Sequence, residues 1–131
     1  MSNNEPQLAR APDIPREREL WLQHVAGYII FEDVRRYAVD RLDPAYSSSE
    51  RSAALKAIDD AVYGLMMVID GVTGTLRSEA ESVNLRMHVE HRHHGEVVQD
   101  LDLFSGDGMC MGYHFWLDGD FGATPVTQAQ S

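Results

Sequence analysis

The hydrophobic period of the chain changes once, and that change limits what it can fold into. Up to about residue 70, apolar residues recur every three to four positions; from Val83 they alternate. The first spacing is that of a helix with one buried stripe, the second that of a strand with one buried face. Helices followed by strands, rather than interleaved with them, indicate an α+β domain whose sheet is antiparallel.

In the helical part, Asp13 and Pro15 form a start signal: an oxygen for an orphan amide, then a residue whose φ suits a first turn. From Arg16, RERELWLQHVAGYIIFEDVRRYAVDRL places Trp21, Val25, Tyr28, Ile29, Val34, Tyr37 and Ala38 at helical intervals, with Leu22, Ile30 and Phe31 widening the stripe. Asp43-Pro44 ends it, because a residue before proline is pushed out of the helical region. Ser47 and Glu50 then make the S-x-x-E of a capping box. Behind it run Ala54, Leu55, Ile58, Ala61, Val62, Leu65, Met66 and Ile69, and Gly71 and Gly74 stop the helix. So short a link makes the pair an antiparallel αα-hairpin. Gly64 inside the second helix costs about 1 kcal/mol relative to alanine, which points to a close crossing there.

After the polar link TLRSEAES, Val83, Leu85, Met87 and Val89 mark one face of a first strand. A second strand runs from about Glu96 to Phe104, and Ser105-Gly106-Asp107-Gly108 is a turn signal. MCMGYHFWL reads as a third strand, with Met109, Met111, Tyr113, Phe115 and Leu117 on one face and Cys110, Gly112, His114 and Trp116 on the other. The expected fold is a two-layer α+β domain, an antiparallel αα-hairpin packed on a three-stranded or larger antiparallel β-meander. It forms one domain over residues 1–131, with 1–15 and 123–131 as mobile polar tails.

Between the first two strands lies MHVEHRHHGE, residues 87 to 96, with four histidines and two glutamates. Residues directly opposite in an antiparallel pair share a face, so the apolar positions must oppose one another. A two-residue turn at His94-Gly95 would set Val89 against Asp100. A three-residue loop, His93-His94-Gly95, sets Met87 against Leu101 and Leu85 against Leu103, and pairs Arg92 with Glu96, His88 with Asp100 and Arg86 with Asp102. The longer loop is therefore expected, with Gly95 in the left-handed conformation and His91 on the inner face beside Val97.

Charge narrows the partners. The net charge is −10, and from Gly95 onward there are six acidic residues (Glu96, Asp100, Asp102, Asp107, Asp118, Asp120) and no lysine or arginine. A nucleic-acid binder needs a basic footprint, and anionic membranes are disfavoured for the same reason. No apolar run approaches the roughly 18 residues of a membrane span. MSNNEPQLARAPDIP lacks the pattern of a secretory signal, and the lone Cys110 cannot close an internal disulfide, so a cytoplasmic location is expected. A basic protein is the electrostatically favoured partner, although acidity alone also serves solubility.

An outer sheet face carrying His88, Glu90, Asp100 and His114 could hold a divalent ion or run acid–base chemistry, as a small metal- or ligand-dependent enzyme would. Cross-strand charge pairing explains the same residues, and HExxH, CxxC and the Glu-x-x-His of di-iron bundles are all absent. No catalytic residue, metal or cofactor is therefore expected. Trp116 beside His114, in the acidic third of the chain, fits an interface hot spot if that face is open and core if it is covered. The expected interface comprises Asp100, Asp102, His114, Trp116, Asp118 and Asp120. Self-association is a third reading, because a small sheet leaves edges exposed.

Two stretches, AIDDAVYGLMMVIDGVTG (residues 57 to 74) and GDGMCMGYHFWLDGDFG (106 to 122), resemble small bacterial proteins, some of toxin-immunity type. The resemblance covers a helix-ending IDG and an aromatic segment, neither of them a catalytic motif. It implies a non-enzymatic bacterial module that binds another protein.

Overall fold

A computed structural model describes residues 6–105, 108–120 and 126–128. β1 (Pro6–Leu8) is followed by α1 (Pro15–Ile30), a π-helical turn (Phe31–Arg35) and α2 (Arg36–Val39), which continue as one helical rod. α3 (Ser48–Ile69) comes next, then β2 (Thr75–Arg77), β3 (Ser82–Asn84), β4 (His88–His93) and β5 (Glu96–Asp102). A 3₁₀ turn (Leu103–Ser105), α4 (Met109–Leu117) and β6 (Val126–Gln128) complete the order. Among the described residues no helix is long and apolar enough to cross a membrane.

The helical hairpin follows its sequence signals closely. Pro15 occupies the first turn of α1, although the N-cap is Ile14 and Asp13 contributes no cap. At α3 the box is complete: Glu50 N–H donates to Ser47 Oγ at 3.2 Å, and Ser47 N–H donates to Glu50 Oε1 at 2.8 Å. α3 ends in a Schellman motif, with Val72 N–H on the Met67 carbonyl, Gly71 N–H on the Val68 carbonyl, and Gly71 at φ 77°. Within the rod, the Arg36 amide reaches back five residues to Phe31. That extra residue rotates the following face, so Val34 and Tyr37, expected inside, are exposed. It also brings Arg35 onto α3, where Nε donates to Asp59 Oδ1 at 2.7 Å.

The β half departs from expectation. Antiparallel pairing is present, but among the described residues it forms two-stranded sheets (β1–β6, β2–β3 and β4–β5) and no three-stranded meander. The expected third strand, MCMGYHFWL, is the helix α4. The expected first strand is broken, because residues 82–84 pair with 75–77, leaving Val83 and Leu85 exposed, and only from His88 does the chain pair with β5. TLRSEAES is therefore itself half of a hairpin, closed by Ser78 N–H on the Glu81 carbonyl at 2.8 Å. Pro6–Leu8 and Val126–Gln128 lie within the segments expected as tails and pair antiparallel. Residues 1–5, 123–125 and 129–131 of those tails, and Gly106-Asp107 of the expected turn, fall outside the described residues.

The β4–β5 turn is also corrected. His93 faces Glu96, so the loop is the two-residue His94-Gly95, both at positive φ (49° and 82°) as a type I′ turn requires. The mismatch that this turn would create is repaired by a register shift at His91/Arg92. An extra residue on β5 lets Val89 face Leu101 instead of Asp100.

The core lies between the helices. Trp21, Leu22, Ala26 and Ile30 of α1, Val62, Met66 and Ile69 of α3, Leu103, and Met109, Tyr113 and Trp116 of α4 are all buried. α4 packs against both α1 and α3, filling the place where a sheet layer was expected.

Candidate functional site

α4 begins without a capping side chain of its own, since its N-cap is Gly108 at φ 110°. The cap comes from the end of α3. Asp70 accepts from the Met109 amide at 2.6 Å through Oδ1 and from the Cys110 amide at 2.8 Å through Oδ2. A carboxylate there also meets the positive end of the helix dipole. Two further bonds lock the inner face: Tyr113 donates to Asp59 at 3.2 Å, and Trp116 Nε1 donates to His24 Nδ1 at 3.0 Å. Burial, then the charge on Asp59, pushes the Tyr113 phenol up to about 12. Gly27 of α1 is what admits the indole, because a Cβ there would lie under 3.0 Å from three atoms of the Trp116 ring. At Gly64, where a close crossing was expected, a Cβ would meet nothing within 4 Å.

With Met109, Tyr113 and Trp116 turned inward, the same helix turns Met111, His114, Phe115 and Asp118 outward. Met111 is 67% exposed and Phe115 52%, and Leu20 of α1 is 45% exposed beside them. Together with Gln23 and His24 they surround a small groove of about 160 Å³. Asp118 and Asp120, both exposed, follow directly on α4. His24 accepts from Trp116 through Nδ1, so a neutral ring carries its proton on Nε2. Burial lowers the His24 pKa, partly opposed by the nearby charge of Asp120.

The other sequence-expected residues are divided between two places. Asp100 and Asp102 lie on β5, away from α4, and form an exposed polar ladder with β4 and the residues before it. Arg86 donates to Asp102 Oδ2 and His88 Nδ1 contacts Asp100 Oδ1, at 2.7 and 2.8 Å, so two of the three expected pairs form, the His88 pair diagonally, since His88 directly faces Asp102; the expected Arg92–Glu96 pairing does not, because Arg92 faces Val97 and Glu96 faces His93. The hydrogen bond from Arg86 holds the Asp102 carboxyl below its ordinary range. Glu90 pairs with Arg92 two residues along its own strand. His114 is on α4 against the Tyr63 ring, with centroids 5.6 Å apart, so His88, Glu90, Asp100 and His114 do not share a sheet face. No group of three metal-ligating side chains forms among the described residues. Trp116, read as open or covered, is covered: it is 2% exposed and belongs to the core.

No family model, curated protein or solved structure matches this chain. Its site is therefore read from its own chemistry. Burial, then the neighbouring Asp70 carboxylate, pushes the Cys110 thiol pKa up, which works against the thiolate that a nucleophile needs. The α4 face presents the apolar side chains of Met111 and Phe115 to solvent, with the exposed Asp118 and Asp120 following on the same chain segment. Leu20, His24, Met111 and Phe115 escaped the sequence reading because a strand assignment puts Met111 and Phe115 in the core. Their i, i+4 spacing was the signal that could have found them.

Proposed function

We propose that this chain is a non-enzymatic, cytoplasmic bacterial protein that works by binding another protein through the exposed face of α4. The observation that carries the reading is the cluster Leu20, Met111 and Phe115, three large apolar side chains left in solvent around a groove. A central apolar contact with a polar rim is the anatomy of a protein interface. Asp118 and Asp120 are exposed directly after α4, the charge of Asp120 reaches His24 at the groove, and the segment from Gly95 onward carries no lysine or arginine. The complementary partner presents an apolar anchor among basic residues. An immunity-type protein would use such contacts to cover a basic toxin surface, and salt would weaken them mainly through the association rate.

A photo-crosslinking amino acid at position 111, installed in the native host, tests this. The expected product is a crosslink to one basic protein, lost in the Asp118→Lys/Asp120→Lys variant and reduced at high salt. A crosslink insensitive to charge reversal, or none, would overturn it. A crosslink only to a second copy would make the α4 face a self-association surface and refute the basic-partner reading.

A further inference from the structure

A different face of α1 borders a second and larger cleft. Trp21, Leu22, Val25, Tyr28 and Ile29 of α1 and Val89 of β4 line an apolar cavity of about 340 Å³. At its end lies a second cavity of about 440 Å³, bordered by Arg10, Arg18 and Arg92. His91 lines both and stands at the waist between them. Each volume is in the range of about 300–1,000 Å³ typical of small-molecule pockets.

The two ends differ in chemistry. On a chain of net charge −10, the second cavity gathers three guanidinium groups. Arg10 faces Asp13 at 3.8 Å and Arg92 pairs with Glu90, so two of the three are matched by carboxylates. Arg18 is the exception. It is half-buried, and its Nε donates to the neutral Gln99 amide oxygen at 2.7 Å, with no carboxylate partner among the described residues. His91 beside it stacks edge-on against Trp21, with centroids 5.6 Å apart, and its Nδ1 is buried without a hydrogen-bond partner. Buried polar atoms are seldom left so, and an orphaned one marks a place where a hydrogen bond remains to be gained.

We propose that the cleft between α1 and β4 binds a small amphipathic carboxylate, its apolar body along Trp21 and Val25 and its head group on Arg18. The local charge balance, three arginines against Asp13 and Glu90, is one positive unit, which suits one negative charge rather than several. The acidic remainder of the chain repels polyanions at longer range. A guanidinium whose Nε is occupied still presents its terminal N–H groups to a carboxylate in charge-assisted bonds.

Calorimetric titration of the full chain with decanoate, and with decan-1-ol as the uncharged probe of equal length, separates head group from tail. Decanoate should bind at one site per chain, about tenfold or more tighter than the alcohol, as a single charge-assisted contact allows. Arg18→Gln should remove that preference and leave alcohol binding in place. Arg92→Gln, at an exposed position where it gives up a hydrogen bond to the Gly95 carbonyl, should reduce the preference while an unchanged urea midpoint shows that the fold is kept. Met111→Glu on α4 should change neither affinity, which separates this site from the α4 surface. Equal affinity for the two probes, a preference that survives both arginine variants, multiple weak sites or no binding would each overturn the proposal.

Discussion

Gly27 and Gly64 are both glycines inside helices, and alanine at each separates backbone preference from packing. Alanine is favoured over glycine in a helix interior by about 1 kcal/mol at either position. At Gly64 a Cβ meets nothing within 4 Å, so the gain is unopposed. Gly64→Ala should therefore stabilise the protein by about 0.5–1 kcal/mol. At Gly27 the same atom would sit under 3.0 Å from the Trp116 ring, which is fully enclosed and tied to His24 through Nε1. Overpacking of this kind costs about 1–3 kcal/mol, and displacing the ring forfeits a hydrogen bond worth about 1 kcal/mol. Set against the helix-propensity gain, Gly27→Ala should lose about 1–3 kcal/mol net.

Urea unfolding followed by circular dichroism measures both, provided the slope m is unchanged so that midpoint shifts report stability. For a chain of this length each 1 kcal/mol moves the thermal midpoint by about 3–5 °C, so the two variants should move it in opposite directions. Adding Trp116→Leu to Gly27→Ala should cost less than the sum of the single changes, since the smaller side chain removes the collision. If both alanine variants shift the midpoint the same way, or if the double variant is simply additive, α4 does not pack on α1 through Gly27.

Three other outcomes follow from the same contacts. Asp70→Ala should destabilise by about 2 kcal/mol, combining a lost cap with a lost charge–dipole contact, and Asp70→Asn by about half as much; no change in the near-ultraviolet signal of Trp116 would count against the cap. Burial, reinforced by Arg18 and His93, holds the His91 pKa below 6.5, and burial lowers His24 as well. The unfolded chain therefore takes up these protons first, so their contribution to stability is full above pH 6.5 and is lost as the pH falls below it; His91→Phe should flatten part of that slope in urea midpoints. The Tyr113 phenol, held near 12, binds its proton more tightly when folded than when unfolded, so stability should fall as the pH rises past about 10. Tyr113→Phe should remove this phenol's share of the alkaline loss, and a variant with the same alkaline slope would refute its burial against Asp59.

What the sequence made legible was whatever depends on neighbours in sequence. Ser47 and Glu50 are three residues apart, and Gly71 closes α3 through carbonyls of its own last turn, so both ends could be read from local spacing. Parity excludes a His94-Gly95 turn only for an unbroken β5. A single extra residue inverts parity beyond it, and no local signal near Val97-Val98 announced one. The π turn at Phe31–Arg35 is of the same kind, since its reward is the Arg35–Asp59 pair, 24 residues away in sequence.

The segment MCMGYHFWL shows why the site itself was hidden. Its nine residues satisfy a strand, with apolar residues at 109, 111, 113, 115 and 117, and equally a helix, with 109, 113 and 116 on one face. Periodicity cannot choose between the two in so short and so apolar a run. The choice is made by groups far off in the chain: Asp70, which supplies the missing cap, and Gly27, which admits the indole. As a strand the segment would bury Met111 and Phe115 and expose Trp116 and His114. As a helix it buries Trp116 and exposes Met111 and Phe115, with His114 outside in either case. The acidic neighbours Asp118 and Asp120 keep their meaning under both assignments, because charge needs no secondary structure to be read. The apolar anchors do not, so the surface proposed to meet a basic partner has Leu20, Met111 and Phe115 at its centre, where the charge pattern alone would put Asp100 and Asp102.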